Sequence, residues 1–219
     1  MIRSISWHSE GRQFICAHKD GSLSTWNVKS GARPQSSIYP HSKTIGNEQR
    51  PEPCQTIGKV EWRTVRNSDA YIMFSGGMPV ENGQVNSSQT LTVIHGKSTT
   101  VLEMEHDIVD FISLCESPYE AEYNDPYAIV VLLSKDLVVV DLQTPGYPCF
   151  QNPYPMDLHE SPVTYCYYLA DCPLDLVSAF VTVGNKLNRR AGFSDREWPI
   201  NGGKWGVETV SYPEIIITG

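Results

Sequence analysis

Gly96, Lys97 and Ser98 stand in the order that closes a phosphate-binding loop, G-x-x-x-x-G-K-[ST]. In such a loop glycine bends the backbone so that its amides cradle phosphate, lysine reaches the terminal phosphates and the hydroxyl holds magnesium. The loop must also open a helix whose N-terminus faces the anion. Here the motif's first glycine falls on Leu91, and Ser98 is followed by TTVLEMEH, whose threonines and valine read as a strand. Gly96 and Lys97 are therefore expected to join two strands, with glycine supplying the turn and Lys97 solvated. His159 is the second candidate. It stands near Ser161 and Cys166, and an imidazole beside a hydroxyl or thiol is the start of nucleophilic catalysis. No orienting acid is evident, and alternation along a strand would part these side chains. With Cys166 and Cys172 the same histidine suggests zinc, but the spacing matches no common finger. SGGMP at 75–79 and INGGKWG at 200–206 are glycine-rich without the strand-then-helix setting of a dinucleotide loop, and read as turns. No catalytic, metal or cofactor-binding residue is assigned, and the chain reads as a non-enzyme.

Binding chemistry is what remains. Lys186, Arg189 and Arg190 crowd into NKLNRRAG on an otherwise acidic chain. Contact with acidic lipid or an acidic partner helix would use them, and so would plain solvation. Trp198 and Trp205 lie around INGGKWG, where they either anchor a partner or pack their own loop. A formal charge of −8 argues against broad nucleic-acid binding, which needs a basic surface. No apolar run approaches the roughly 18 residues of a membrane span. The opening MIRSISWHSE lacks the apolar core of a signal peptide. Six irregularly spaced cysteines without a secretory signal read as reduced thiols.

The elements that would position these residues are short strands. ISWHSEGRQFICAHKDGSLSTWNV holds one at Ile5–Trp7, one at Gln13–Ala17 and one ending at Trp26, Asn27 and Val28. Asp20-Gly21 between apolar runs is a hairpin signal. That turn, followed by a strand ending in Trp26-Asn27, resembles the signature of a WD40 propeller blade, with Asn27 where Asp is usual. New apolar starts appear near residues 5, 60, 109 and 163. They are about 50 residues apart, a little longer than the roughly 40–45 of a typical WD40 repeat. Second strands are expected in AYIMFSGG, DPYAIVVLLS and DLVSAFVTVG, and third strands in QTLTVIHG and DLVVVDLQT. The excess length falls in loops at 34–58, 78–89 and 186–212, rich in Pro, Gly, Asn and Ser. Helical periodicity is scarce except near 173–180. His159, just before the start at Val163, holds the place of a blade's structural histidine, and His106 before Val109 is a looser case. His18, Asp20, Gly21 and Trp26 take structural parts in the first blade. The expectation is an all-β chain of about four WD40-type blades, the last incomplete at SYPEIIITG, from a larger propeller protein.

Longer stretches carry a resemblance. WHSEGRQFICAHKDGSLSTWNV, EPC, IMFSGGMP, HGKSTTVLEM, DPYAIVVLLSKDLVVVDLQTPGYP, NPYPMDLHESPVT, EWPINGGKWG and SYPEIIITG together resemble the tomosyn / lethal giant larvae family of double-propeller proteins. HGKSTTVLEM, EWPINGGKWG and NPYPMDLHESPVT look closer to tomosyn, while FSGGMP and DLQTPGYP are equally at home in lethal giant larvae proteins. The resemblance implies a large cytoplasmic scaffold, peripheral at the plasma membrane or cell cortex, without cofactor. On the favoured tomosyn side it implies regulation of SNARE assembly and vesicle exocytosis through syntaxin-type target SNAREs. The alternative is a lethal giant larvae-type cortical polarity scaffold that binds non-muscle myosin II and regulates Rab-type GTPases. Tomosyns also carry a SNARE-like coiled coil. No run of three or four heptads occurs here, so that mimicry is not expected of this chain.

Overall fold

The computed structural model describes residues 1–42, 52–80, 89–117, 119, 121–150, 164–169, 172, 173, 175, 176, 179, 182, 183 and 215–218. The chain divides into two units, one running to Tyr165 and one comprising Cys166–Thr218.

The first unit is built of antiparallel sheets in which chain neighbours pair. β1 (Ile2–Trp7), β2 (Gln13–His18), β3 (Leu23–Asn27) and β4 (Ser36–Ile38) form the first sheet in that order. β5 (Ile57–Arg63), β6 (Tyr71–Gly76), β7 (Thr90–His95) and β8 (Ser98–Glu103) form the second. The third holds β9 (Ile108–Cys115), β10 (Pro126–Leu133) and β11 (Leu137–Asp141). Beside β11, Asp141 N–H donates to the Pro148 carbonyl and Phe150 N–H to that of Val139, so 148–150 takes the place of a fourth strand. Four-stranded meanders of this kind are the units from which propellers are made.

Period-two alternation explains how these sheets pack. On β6 the neighbours Met73 and Phe74 point to opposite faces, and both are fully buried. Phe74 joins Ile15, Ala17, Leu23, Ile57 and Val60 in a core against the first sheet. Met73 joins Leu91, Val93, Phe111, Ile129, Val131 and Leu133 in a core against the third. β6 is thus packed into an apolar core on both sides. Burying each such side chain contributes about 1.5–3 kcal/mol. A bulge between Ile57 and Val60 keeps both on the same face despite their odd spacing.

Two expectations need correction. The irregular loop over 34–58 contains β4, and β5 begins within it at Ile57. β4 is only three residues, all exposed, so no apolar alternation marks it. The run DLVSAFVTVG, expected as a strand, is helical at Asp175, Leu176, Ala179, Thr182 and Val183. Pro173 fits the approach to a helix, and the apolar residues of that run recur at helical spacing. In the second unit β12 (Cys166–Leu169) pairs instead with β13 (Ile215–Thr218), from the tail SYPEIIITG. The starts near 5, 60 and 109 lie within β1, β5 and β9. Residue 163, 81–88 and 186–212 lie outside the described residues. No described helix is long and apolar enough to cross a membrane.

Candidate functional site

Gly96 and Lys97 form the two-residue connection between β7 and β8, with His95 paired to Ser98 across it. Gly96 has φ 59° and Lys97 is not among the residues with positive φ, the pattern of a type II′ hairpin turn. A Cβ on Gly96 would lie 2.5 Å from an Asp69 carboxylate oxygen, so the turn sits tightly on the β5–β6 connection. Ser98 opens a strand rather than a helix, so no helix N-terminus begins beside Lys97.

In the first sheet, His18 ends β2 and faces β3. Its Nε2 lies 2.6 Å from Ser24 Oγ, which also accepts the Trp26 indole N–H at 2.7 Å. Burial lowers the His18 pKa, against a smaller opposing pull from Asp20. Asp20 accepts from the backbone N–H and hydroxyl of Ser22 and from Tyr39 Oη, at 3.2, 2.7 and 3.2 Å. Burial pushes the Asp20 carboxyl up, but these donors outweigh it and its pKa is lowered. Gly21 has φ 79°, and a Cβ there would collide with Cys54 Cβ. His18, Asp20, Gly21 and Trp26 are thus brought together around one hairpin. His106 stands apart, half-buried in the turn between β8 and β9, and makes no side-chain hydrogen bond among the described residues. His159, Lys186, Arg189, Arg190, Trp198 and Trp205 lie outside the described residues.

A charged lattice between the second and third sheets was not found by sequence reasoning. β5 alternates Lys59, Glu61 and Arg63 on the face opposite Val60 and Trp62. Glu61 is 5 % exposed. Its Oε2 accepts from Ser113 Oγ at 2.5 Å, Ser113 N–H at 3.1 Å and Arg63 at 3.2 Å. Arg63 Nε also donates to Ser113 Oγ at 2.7 Å. Lys59 Nζ reaches Asp110 at 2.7 Å, the Phe111 carbonyl at 2.5 Å and Glu61 at 3.5 Å. Every charge in this group has an opposite partner, so it binds sheet to sheet and offers no free charge to a ligand. The signal that could have found it is KVEWR itself, with three alternating charges beside residues that must be buried.

An opening of about 770 Å³ lies at the β1–β2 and β5–β6 connections and includes His8, Glu10, Asn67, Asp69 and Tyr123. Nearby Ser68 Oγ lies 3.3 Å from His95 Nε2. That ring stacks on Tyr71 at 4.0 Å, and no carboxylate orients it among the described residues, so the pair lacks triad geometry. No group of three His, Cys, Asp or Glu among the described residues is placed to hold a metal.

A family model described as LLGL: LLGL2 matches residues 37–148, which is half of the chain. The chain belongs to the LLGL family. Among LLGL relatives it is 34 % identical over 221 residues to human LLGL scribble cell polarity complex component 2, covering 100 % of this chain and 20 % of that protein. It is 31 % identical over 218 residues to mouse lethal(2) giant larvae protein homolog 1, again covering 100 % and 20 %. The chain therefore spans about one fifth of the length of the curated LLGL relatives it matches. These matches support the lethal giant larvae branch and give no specific support to the tomosyn branch favoured by the sequence stretches. Among solved structures it is similar to a chain of the mitotic checkpoint complex, with TM-score 0.49 and 13 % identity over 75 % of this chain and 43 % of that one. It is also similar to the WD40 β-propeller domain of Doa1, with TM-score 0.44 and 11 % identity over 76 % and 44 %. The all-β assignment to propeller-type sheets rests on the strand order described above.

Proposed function

We propose that this chain is part of a non-catalytic scaffold of the lethal giant larvae type, acting in cell polarity at the cell cortex. The observation that carries this reading is the identity, over the full chain, to a relative whose name places it in the scribble cell polarity complex. The mutually satisfied Lys59–Glu61–Arg63 lattice adds to it, since its polar groups serve packing rather than turnover. To test it, the matching segment of the human relative is replaced by this chain in epithelial cells depleted of that relative. Restored asymmetric cortical placement is expected, and a diffuse protein at normal abundance overturns the reading.

A regulator of vesicle exocytosis through syntaxin-type target SNAREs is the second reading, carried by the tomosyn-like stretch HGKSTTVLEM, which forms the β7–β8 turn and β8. Calorimetry of the folded chain with an assembled target-SNARE pair separates the two. Saturable heat favours exocytosis, and its absence sends SNARE recognition elsewhere. Rab-type GTPases and non-muscle myosin II are proposed partners on the polarity side, with peripheral membrane placement arising through them.

A further inference from the structure

The β1–β2, β5–β6 and β9–β10 connections all contribute walls to the opening of about 770 Å³. Two of these walls are bolted together. The N–H groups of Asn124 and Asp125 both donate to the Thr64 carbonyl, at 2.9 and 3.1 Å. Arg66 N–H donates to Asp125 Oδ1 at 2.9 Å, and its guanidinium reaches Oδ2 at 3.4 Å. Asn124 Nδ2 donates to the carbonyls of Ser117 and Tyr119. Asn67 and Asp125 hold left-handed φ values of 57° and 47°, a strain that lasts only where the surroundings fix it. The lining carries one sign of charge. Glu10 and Asp69 are exposed, and their carboxylates have no hydrogen bond or ion pair among the described residues. No described lysine or arginine lines the opening, and Arg66 beside it is held by Asp125. Tyr123, 51 % exposed, brings an aromatic side chain to the same opening.

We propose that this opening is the docking site for an arginine-bearing segment of a partner protein. Two carboxylates without a cation of their own call for one from outside, and an exposed tyrosine adds the attraction of an aromatic face. A guanidinium suits this lining better than an ammonium, because it is planar, weakly hydrated, stacks on aromatic rings and forks onto carboxylates. A metal ion is a poor fit, since no three described His, Cys, Asp or Glu residues converge here. The volume is that of a site for a ligand larger than one side chain, and Asn67 and Ser68 offer polar groups to the flanking backbone. The bolted walls are ordered in advance, so docking loses little conformational freedom on this side. A formal charge of −8 on the chain draws a basic segment toward it.

The test is a titration of the isotope-labelled, full 219-residue chain with the acetylated peptide GSRGRSG, followed through backbone amide NMR shifts. Saturable shifts are expected at Glu10, Asn67, Ser68, Asp69 and Tyr123. The same peptide with citrulline for arginine keeps the shape and loses the charge, and is expected to bind about tenfold more weakly. Asp69→Asn and Glu10→Gln are each expected to raise the Kd about three- to fivefold. Tyr123→Ala is expected to raise it about threefold. Glu103→Gln, which removes an exposed carboxylate from β8, is expected to leave it unchanged. Unmoved amides elsewhere confirm the fold of each variant. Shifts that never saturate, or that spread evenly over the acidic surface, overturn the proposal. So does a citrulline peptide that binds as well, or an unchanged Kd in both folded variants at Asp69 and Glu10. A lysine peptide that binds as tightly overturns the guanidinium assignment.

Discussion

β1–β4 and β5–β8 share one strand order, yet they use their polar side chains differently. Around the Asp20-Gly21 hairpin of the first sheet the polar groups close on themselves: His18 and Trp26 meet on Ser24, and Asp20 gathers Ser22 and Tyr39. In the second sheet they reach out. Glu61 and Lys59 engage Ser113 and Asp110 of β9, while Val60 and Trp62 donate backbone N–H groups to Ser4 and Ser6 of β1. The apolar faces differ in the same sense. The first sheet stacks Trp7, Phe14 and Trp26 along a half-covered face, whereas the second buries Phe74 and Met73 on both sides. A sheet held from within can be read from its own residues, and a sheet held by its neighbours cannot.

This contrast can be broken experimentally. Glu61→Ala leaves Arg63 and the Ser113 N–H without their buried acceptor and is expected to cost about 3–5 kcal/mol. Urea unfolding measures it, and a cost like that of a surface change would show that the lattice does not tie the sheets. Phe74→Ala is expected to cost about 3–5 kcal/mol, while Phe14→Ala on the half-covered face costs less than half as much. Equal losses would erase the distinction between the two sheets. Gly21→Ala forces a side chain into a left-handed turn and against Cys54, at about 1–3 kcal/mol. Its thermal midpoint should fall, whereas Gly11→Ala meets nothing within 4 Å and should lower it less.

The smallest effect is in pH. Burial holds His18 and His41 below their ordinary value of 6.5, so the folded state prefers both rings neutral. The unfolded chain then binds more protons, and the stability from these rings is full above about 6.5 and declines as pH falls below it. Unfolding midpoints across that range check the slope, and His18→Gln should flatten it. A slope unchanged by that substitution would remove His18 from the balance.

The difference between the sheets also explains what could be read in advance. The Asp20-Gly21 turn and the alternation in β1, β2 and β3 are local, so sequence reasoning places the first blade well. The turn at Gly96 was legible too, because a phosphate loop needs a glycine where Leu91 stands and a helix where β8 stands. β4 escaped because three exposed residues carry no pattern, and the residues after Pro173 were read as a strand despite the helical periodicity near 173–180, because apolar content there suits either period. The lattice escaped for a deeper reason. Charges at alternate positions on a strand look like a solvated face until the partner strand is known, and Ser113 lies 52 residues from Glu61.

That separation has a consequence in time. A ribosome adding about 5–20 residues per second releases Glu61 roughly 3–10 seconds before Ser113 exists to receive it. Through that interval the carboxylate must keep its water, and the second sheet has only the first to lean on. The charges of β5 thus act as a delay in vectorial assembly: the two-sided core cannot dry out until the following repeat has been synthesised.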